Sequence, residues 1–296
     1  MKTICNEFRD QITIITGAYI FPMRLLAISD LHLSKIVSLD PVKNIDNHLD
    51  DWLILAGDVA ENTEFFAASL EILASKFAKL IWVPGNHELW TEPGPSEITQ
   101  RGLRRYECLV DIARAHGVVT PEDEYLEWPG SKDNDNYIIA PLFLLYDYSL
   151  RPEDIARENL RKWVRQIHAE CTDELRLHCD PYNSKEEWCW ARCAEAEKRL
   201  ESIPRHYKTI LINHWPLRSD LIYLPRLPRF TPWCGTKLTH SWHKKYNAAV
   251  VVSGHLHTRR TDFIDGCRFE EVSLGYKRQW DVEKGIDFYF REIISN

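Results

Sequence analysis

The sequence predicts an α/β fold, on three observations. Short, near-continuous apolar runs recur along the chain, as they do in strands covered on both faces. Helical patterns lie between several of those runs. Each run also stops abruptly, at a polar residue or a glycine. The runs rich in leucine and β-branched residues place strands at Leu25–Ser29, Trp52–Ala56, Leu80–Val83, Tyr137–Ala140, Thr209–Asn213 and Ala249–Ser253, with a last strand at Arg268–Ser273. A helix is expected over Glu64–Phe77, with Thr63 as its N-cap, and a longer one over Ser96–His116, stopped by Gly117. A third opens on the capping-box pattern Ser184-Lys185-Glu186-Glu187 and runs through Leu200.

The 296 residues are 44% hydrophobic and 27% charged, with no low-complexity tract or repeat, which suits a folded globular chain. No apolar run reaches the length of a membrane span. Residues 11–22, QITIITGAYIFP, follow Glu7, Arg9 and Asp10 and lack a small-x-small cleavage site, so they do not read as a secretion signal. Residues 1–22 read as an N-terminal extension, either an upstream-start artefact or a peripheral strand, because MRLLAISDLH from Met23 resembles a natural chain start. Residues 23–296 then form one domain, with 91–207 as an elaborated insertion or cap. The eight cysteines are scattered without a CxxC, which indicates reduced thiols and a cytoplasmic protein. Residues 213–260 carry eight Lys/Arg against the single acid Asp220, a surface suited to receive an anion.

The polar residues at the strand ends carry the chemistry. Asp30 and His32 follow the first strand, and Asp58 follows the second after Gly57. Asn86, His87 and Glu88 follow the third after Pro84-Gly85. His214 follows Thr209–Asn213, and Gly254 precedes His255 and His257. Ligands bind at the carboxyl ends of strands in open α/β sheets. Residues one apart in extended chain point to the same side, so each Asp-x-His or His-x-His pair can serve one site. Imidazole, carboxylate and amide donors without thiolate suit Mn, Fe or Zn.

The set DLH, GD, GNHE, NHW and GHLH resembles the calcineurin-like metallophosphoesterase superfamily from Met23 to beyond His257. That resemblance implies a two-sheet sandwich flanked by helices, a four-layer αββα arrangement, with a dinuclear metal centre of divalent or trivalent ions. It implies that Asp30, His32 and His257 hold one ion, that Asn86, His214 and His255 hold the other, and that Asp58 bridges them. His87 would contact phosphate and donate a proton to the leaving oxygen, while Glu88 would orient its neighbours. The implied reaction is phosphoester hydrolysis by a metal-bound hydroxide. GDVAEN lacks the arginine of the Ser/Thr protein phosphatases, and Glu61 stands where purple acid phosphatases have their metal-binding tyrosine.

The loop from His214 to Gly235, with Trp215, Arg218, Arg226 and Arg229, reads as a substrate rim. The stretches IWVPGNHELW, VVTPEDEY, IAPLFLLYDYS and FEEVSLGY resemble bacterial members similar to the mycobacterial phosphopantetheinyl hydrolase. That implies the 4′-phosphopantetheine linkage of acyl carrier proteins as substrate and an acidic carrier protein as partner. The competing readings are a nuclease, a nucleotide or small-molecule phosphatase, and a scaffold without catalysis. The scaffold reading sits poorly with seven ligands and His87 all present.

Overall fold

The computed structural model describes residues 23–34, 38–91, 100–130 and 135–296. The extension 1–22 and the first turn of the helix expected from Ser96 lie outside the described residues.

Among the described residues, ten strands form two sheets. β1 (Arg24–Ile28), β2 (His48–Leu55) and β3 (Phe77–Trp82) run parallel, and β10 (Arg291–Ser295) joins β1 antiparallel. The second sheet takes β4 (Leu126–Glu127), β5 (Tyr137–Pro141), β6 (Lys208–Ile212), β7 (Ala248–Ser253), β8 (Thr261–Ile264) and β9 (Cys267–Glu271) in the order β4-β5-β6-β7-β9-β8. Its four middle strands are parallel and its two edges antiparallel.

The apolar runs are continuous because the strands are covered on both faces. Leu25, Ala27, Ile54, Ala56 and Ile81 of one sheet meet Ile139, Ile210, Ile212, Val250 and Val252 of the other, forming the seam between sheets. The alternate residues Leu26, Ile28, Leu53, Leu55, Leu80, Trp82, Leu211 and Val251 face outward into a larger cluster that includes the helices. Helix Thr63–Ala74 lies on β3, with the Phe66 and Trp82 rings 5.0 Å apart. Helices Leu103–Ala115 and Lys185–Glu201 are joined to the buried run 142–148 through Tyr106, Phe143 and Trp188. The architecture is therefore the expected α/β sandwich of two mixed sheets between helical layers.

Several boundaries differ from the sequence reading. β2 begins at His48, four residues early, because Asp51 is drawn into the fold by Arg24. Helix Thr63–Ala74 is capped by Asn62, whose side chain accepts from Phe65 N at 2.9 Å, rather than by Thr63. It ends at Ala74, with Ser75 and Lys76 in a turn and Phe77 opening β3. β10 and the edge strand β8 carry too much charge and too little apolar length to stand out in sequence. Ser184 does cap its helix, accepting from Glu187 N at 3.1 Å, but the Glu187 carboxylate reaches back to Asn183 N. Cys189 and Cys193 are buried free thiols on that helix.

Asp51 pins the start of β1. Its carboxylate accepts from Arg24 N at 2.9 Å and from the Arg24 guanidinium at 2.5 Å, with His48 Nδ1 at 3.2 Å. Burial opposes its ionisation, but Arg24 and His48 outweigh burial and lower its pKa. A lowered pKa adds stability that is present above the unfolded value, about 4, and is lost as pH falls through the folded value. Asp51→Asn should therefore cost about 1–2 kcal/mol at pH 7, kept modest because Arg24 is partly solvated. Urea titrations from pH 7 to pH 3 should show the gap between wild type and variant closing at the acid end; a constant gap would refute this account.

Candidate metal centre

Turns at the ends of β1, β2, β3, β6 and β7 converge on one point. Asp30 N donates to Gly57 O and His32 N to Asp58 O, both at 2.9 Å, so the first two turns are tied backbone to backbone. Asp30 (φ +57°), His32 (+48°), Asp58 (+53°), His255 (+72°) and His257 (+55°) are all left-handed. The pairs thus converge through strained turns, not through the extended geometry expected from their spacing. Such conformations cost on the order of 1 kcal/mol each and persist where surrounding contacts over-determine them.

Two buried glutamates supply those contacts. Glu88 accepts from Asp58 N and Gly85 N at 2.9 Å and from Val59 N at 2.5 Å. Glu271 accepts from Thr258 N at 2.9 Å, Leu256 N at 3.2 Å and Arg259 N at 2.5 Å, fixing the GHLH turn in the same manner. Gly85 permits the approach of the turns, since a Cβ there would sit 2.1 Å from Asp58 Oδ1.

The side chains then meet. Asp30 Oδ1 lies 2.9 Å from His257 Nε2, which is 3.1 Å from His32 Nε2. Asp30 Oδ2 accepts from Ser29 Oγ, Ser273 Oγ and His255 N at 2.6, 2.7 and 3.0 Å. Asn86 Oδ1 stands 3.2 Å from both His214 Nε2 and His255 Nδ1. Asp58 accepts His87 N at 2.9 Å through Oδ1, and its Oδ2 is 3.5 Å from His214 Nε2 and 3.8 Å from His87 Nε2. Three overlapping trios, Asp30/His32/His257, His32/Asp58/His87 and Asp30/Asp58/His214, have donor atoms within 4.8 Å of one another.

The electrostatics call for cations. Burial opposes ionisation of Asp30, yet the imidazoles of His257, His214 and His32 hold its carboxyl well below the carboxylate range. Burial, then the charges of Glu88 and Asp30, push Asp58 well above it. Burial disfavours charge on His257, but Asp30 outweighs burial and raises it to about 9, drawing a proton into the cluster. Burial drives His32 and His255 well down and His87 to about 3. Lone-pair nitrogens held about 3 Å apart beside carboxylates fit a site built for positive charge. The residues present therefore fit divalent ions.

Orientation comes from residues that sequence reasoning missed. His214 Nδ1 donates to Ala56 O at 2.9 Å, and His257 Nδ1 to Gln279 Oε1 at 2.9 Å, which leaves each Nε2 facing inward. Asp173 accepts from Asn86 Nδ2 at 3.0 Å and Trp90 Nε1 at 2.8 Å, turning the Asn86 oxygen to the histidines. Tyr276 stacks on His32 at 4.5 Å and 21°. Glu271 and Tyr276 lie within the motif FEEVSLGY, so position in that stretch was the available signal. Asp173 had none, being one acid among many in a polar stretch.

The expected rim is corrected in part. Trp215 is fully buried, packed 5.1 Å from the His214 ring and 5.8 Å from that of His255, beneath the centre rather than over it. Arg218 is buried and bound to Asp220 at 2.6 Å, and Arg229 is held by Trp163 O and Gln166. Arg226 remains exposed on its loop. Much of the positive charge of 213–260 is thus met within the chain, including Lys244 by Asp265 at 2.9 Å and Lys245 by Glu197 at 2.7 Å.

This fold and site define a class of metal-dependent phosphoesterases. The family model for calcineurin-like phosphoesterases matches residues 23–259, and the chain belongs to that family: it is a hydrolase of phosphoric esters that uses divalent metals. It is 43% identical over 263 residues to the [acyl-carrier-protein] phosphodiesterase PptH of Mycobacterium tuberculosis, covering 88% of this chain and 80% of that one. The crystal structure of M. tuberculosis phosphopantetheinyl hydrolase (PptH) superposes with a TM-score of 0.85 at 41% identity, covering 92% of this chain and 96% of that one. A putative 5′-nucleotidase from Staphylococcus aureus aligns at a TM-score of 0.43 and 11% identity over 85% of this chain and 48% of that one, too distant to inform the chemistry. Among the described residues no helix is long and apolar enough to cross a membrane.

Asp173→Ala frees the Asn86 amide to turn and should weaken metal binding by about 10–100-fold. Titration of Mn²⁺ into the metal-free variant, followed calorimetrically, checks this; wild-type affinity would show that Asp173 does not set the amide.

Proposed function

We propose that this enzyme hydrolyses the phosphodiester joining 4′-phosphopantetheine to the serine of an acyl carrier protein. The likeness to PptH over most of both chains carries this reading, together with a convergent donor set at the strand ends. Asp30, His32 and His257 would hold one ion, Asn86, His214 and His255 the second, with Asp58 between them. Manganese, iron and zinc all suit these donors. When bound, such ions supply Lewis acidity to water and to the phosphoryl oxygens.

The chain's own residues do the rest. Asp30 and Asp58 neutralise part of the cationic charge, leaving the site attractive to a phosphate monoanion. His87, a neutral ring held by Trp90 at 3.7 Å, offers a single N–H to a phosphoryl or leaving oxygen. Burial of the cluster keeps stray water from competing with these contacts. Within the stretch that the sequence marks as an insertion, β5 is part of the second sheet, while the short helix Asp173–Arg176 contributes Asp173 to the orientation of Asn86. A cytoplasmic enzyme is the reading with which the buried free thiols Cys189 and Cys193 accord. The nuclease alternative draws little from residues 213–260, where much of the positive charge is met within the chain.

A chromogenic phosphate diester and the matching monoester separate the readings. Wild type in Mn²⁺ should cleave the diester, and chelation should stop it. Asp58→Asn should lower kcat by at least about 10³-fold while circular dichroism stays native. Cleavage of the monoester alone would overturn the diesterase assignment, and substantial turnover by Asp58→Asn would overturn the metal roles.

A further inference from the structure

Six side chains form an unbroken line of ring–ring and cation–ring contacts through the centre. The Arg176 guanidinium lies 5.7 Å from the Trp90 ring, Trp90 is 3.7 Å from His87, and His87 is 4.4 Å from His32. His32 is 4.5 Å from Tyr276, and the Arg278 guanidinium lies 5.8 Å from Tyr276. An arginine therefore closes each end, with the two site histidines in the middle. Both arginines are exposed, and among the described residues their recorded side-chain contacts are to rings, with no ion pair to an acid. That separates them from Arg157, Arg161, Arg192 and Arg218, each paired with a carboxylate.

Their placement is fixed from beneath. Arg176 ends the short helix Asp173–Arg176, whose Asp173 holds Trp90 and Asn86, and Arg176 O accepts from Thr91 N at 2.9 Å. Tyr276 N donates to Gln279 Oε1 at 2.8 Å, the same oxygen that receives the His257 proton, so the Arg278 flank is tied to the centre too. Leu175, beside Arg176, is 60% exposed.

We propose that Arg176 and Arg278 are the two cationic posts on which an acidic protein substrate docks, straddling the scissile phosphodiester above His87 and His32. This rests on the carrier-protein reading above and names the surface that reading requires. A single phosphate cannot span both posts, because four rings in contact lie between them. A broad anionic surface can, and the exposed Leu175 gives it an apolar foothold. Opposed charges at the edge of an interface act mainly on encounter and orientation, so their removal should raise KM more than it lowers kcat.

The test compares wild type with the Arg176→Glu/Arg278→Glu double variant on a holo-acyl carrier protein and on bis(p-nitrophenyl) phosphate, each at low and moderate salt. The ratio of kcat/KM on the carrier to kcat/KM on the small diester should fall at least about tenfold in the variant, through KM, with the gap narrowing as salt screens the posts. The Arg176→Lys/Arg278→Lys variant should restore most of the ratio. An unmoved ratio with active wild type would place docking elsewhere and overturn the proposal alone. Equal loss on both substrates would give the arginines a merely structural role, and overturn it as well. Wild type that cuts the diester but no carrier protein would sink the substrate reading itself, and this inference with it.

Discussion

The Glu88 carboxylate is the contact on which the centre depends. Three backbone N–H groups from two different strand-end turns converge on it, in a place where water cannot substitute. Unpaired, each would cost about 1–3 kcal/mol. The turns need this help because several of their residues are left-handed without being glycine. Glu271 repeats the arrangement on the opposite side, and its Ser273 neighbour carries a further donor to Asp30. Two acids that are not in the donor trios thus hold the groups that are, and the strain of the turns is set against their hydrogen bonds.

This division shows what was legible in sequence. The strands could be read because each is apolar on both faces, and the donors could be read because each immediately follows a strand. The edge strands β8 and β10 escaped notice, since an edge strand needs only one covered face and tolerates charge at alternate positions. Asp173 and Gln279 were illegible for a different reason. They act across 87 and 22 residues of chain, and nothing local distinguishes them from solvated polar residues. The rim reading failed at Trp215 and Arg218 because composition reports which side chains a loop owns, not which way they face. A tryptophan beside a histidine was read as part of a substrate rim and instead packs, fully buried, against the His214 ring.

Charge misled in the same way. A net positive segment suggested a receiving surface, but much of its charge is satisfied by acids brought from other parts of the chain. Arg176 and Arg278, both outside the basic segment 213–260, are exposed beside the centre. Accessible charge is a property of pairing in three dimensions, and it can be opposite in location to the charge counted along the chain.

The pairing of β1 with β10 carries one more consequence. About 260 residues separate the two strands, yet Arg24 faces Ser295 across the same ladder. As the chain emerges from the ribosome, β2 and β3 can cover one side of β1 early, while its other side waits until the residues up to β10 have been made. Through that interval the segment RLLAI is an apolar strand with a bare row of hydrogen-bonding groups, open to any other extended chain nearby. β10 closes β1 only after the chain between them has been made, so the exposed period of β1 lasts as long as the synthesis of those residues.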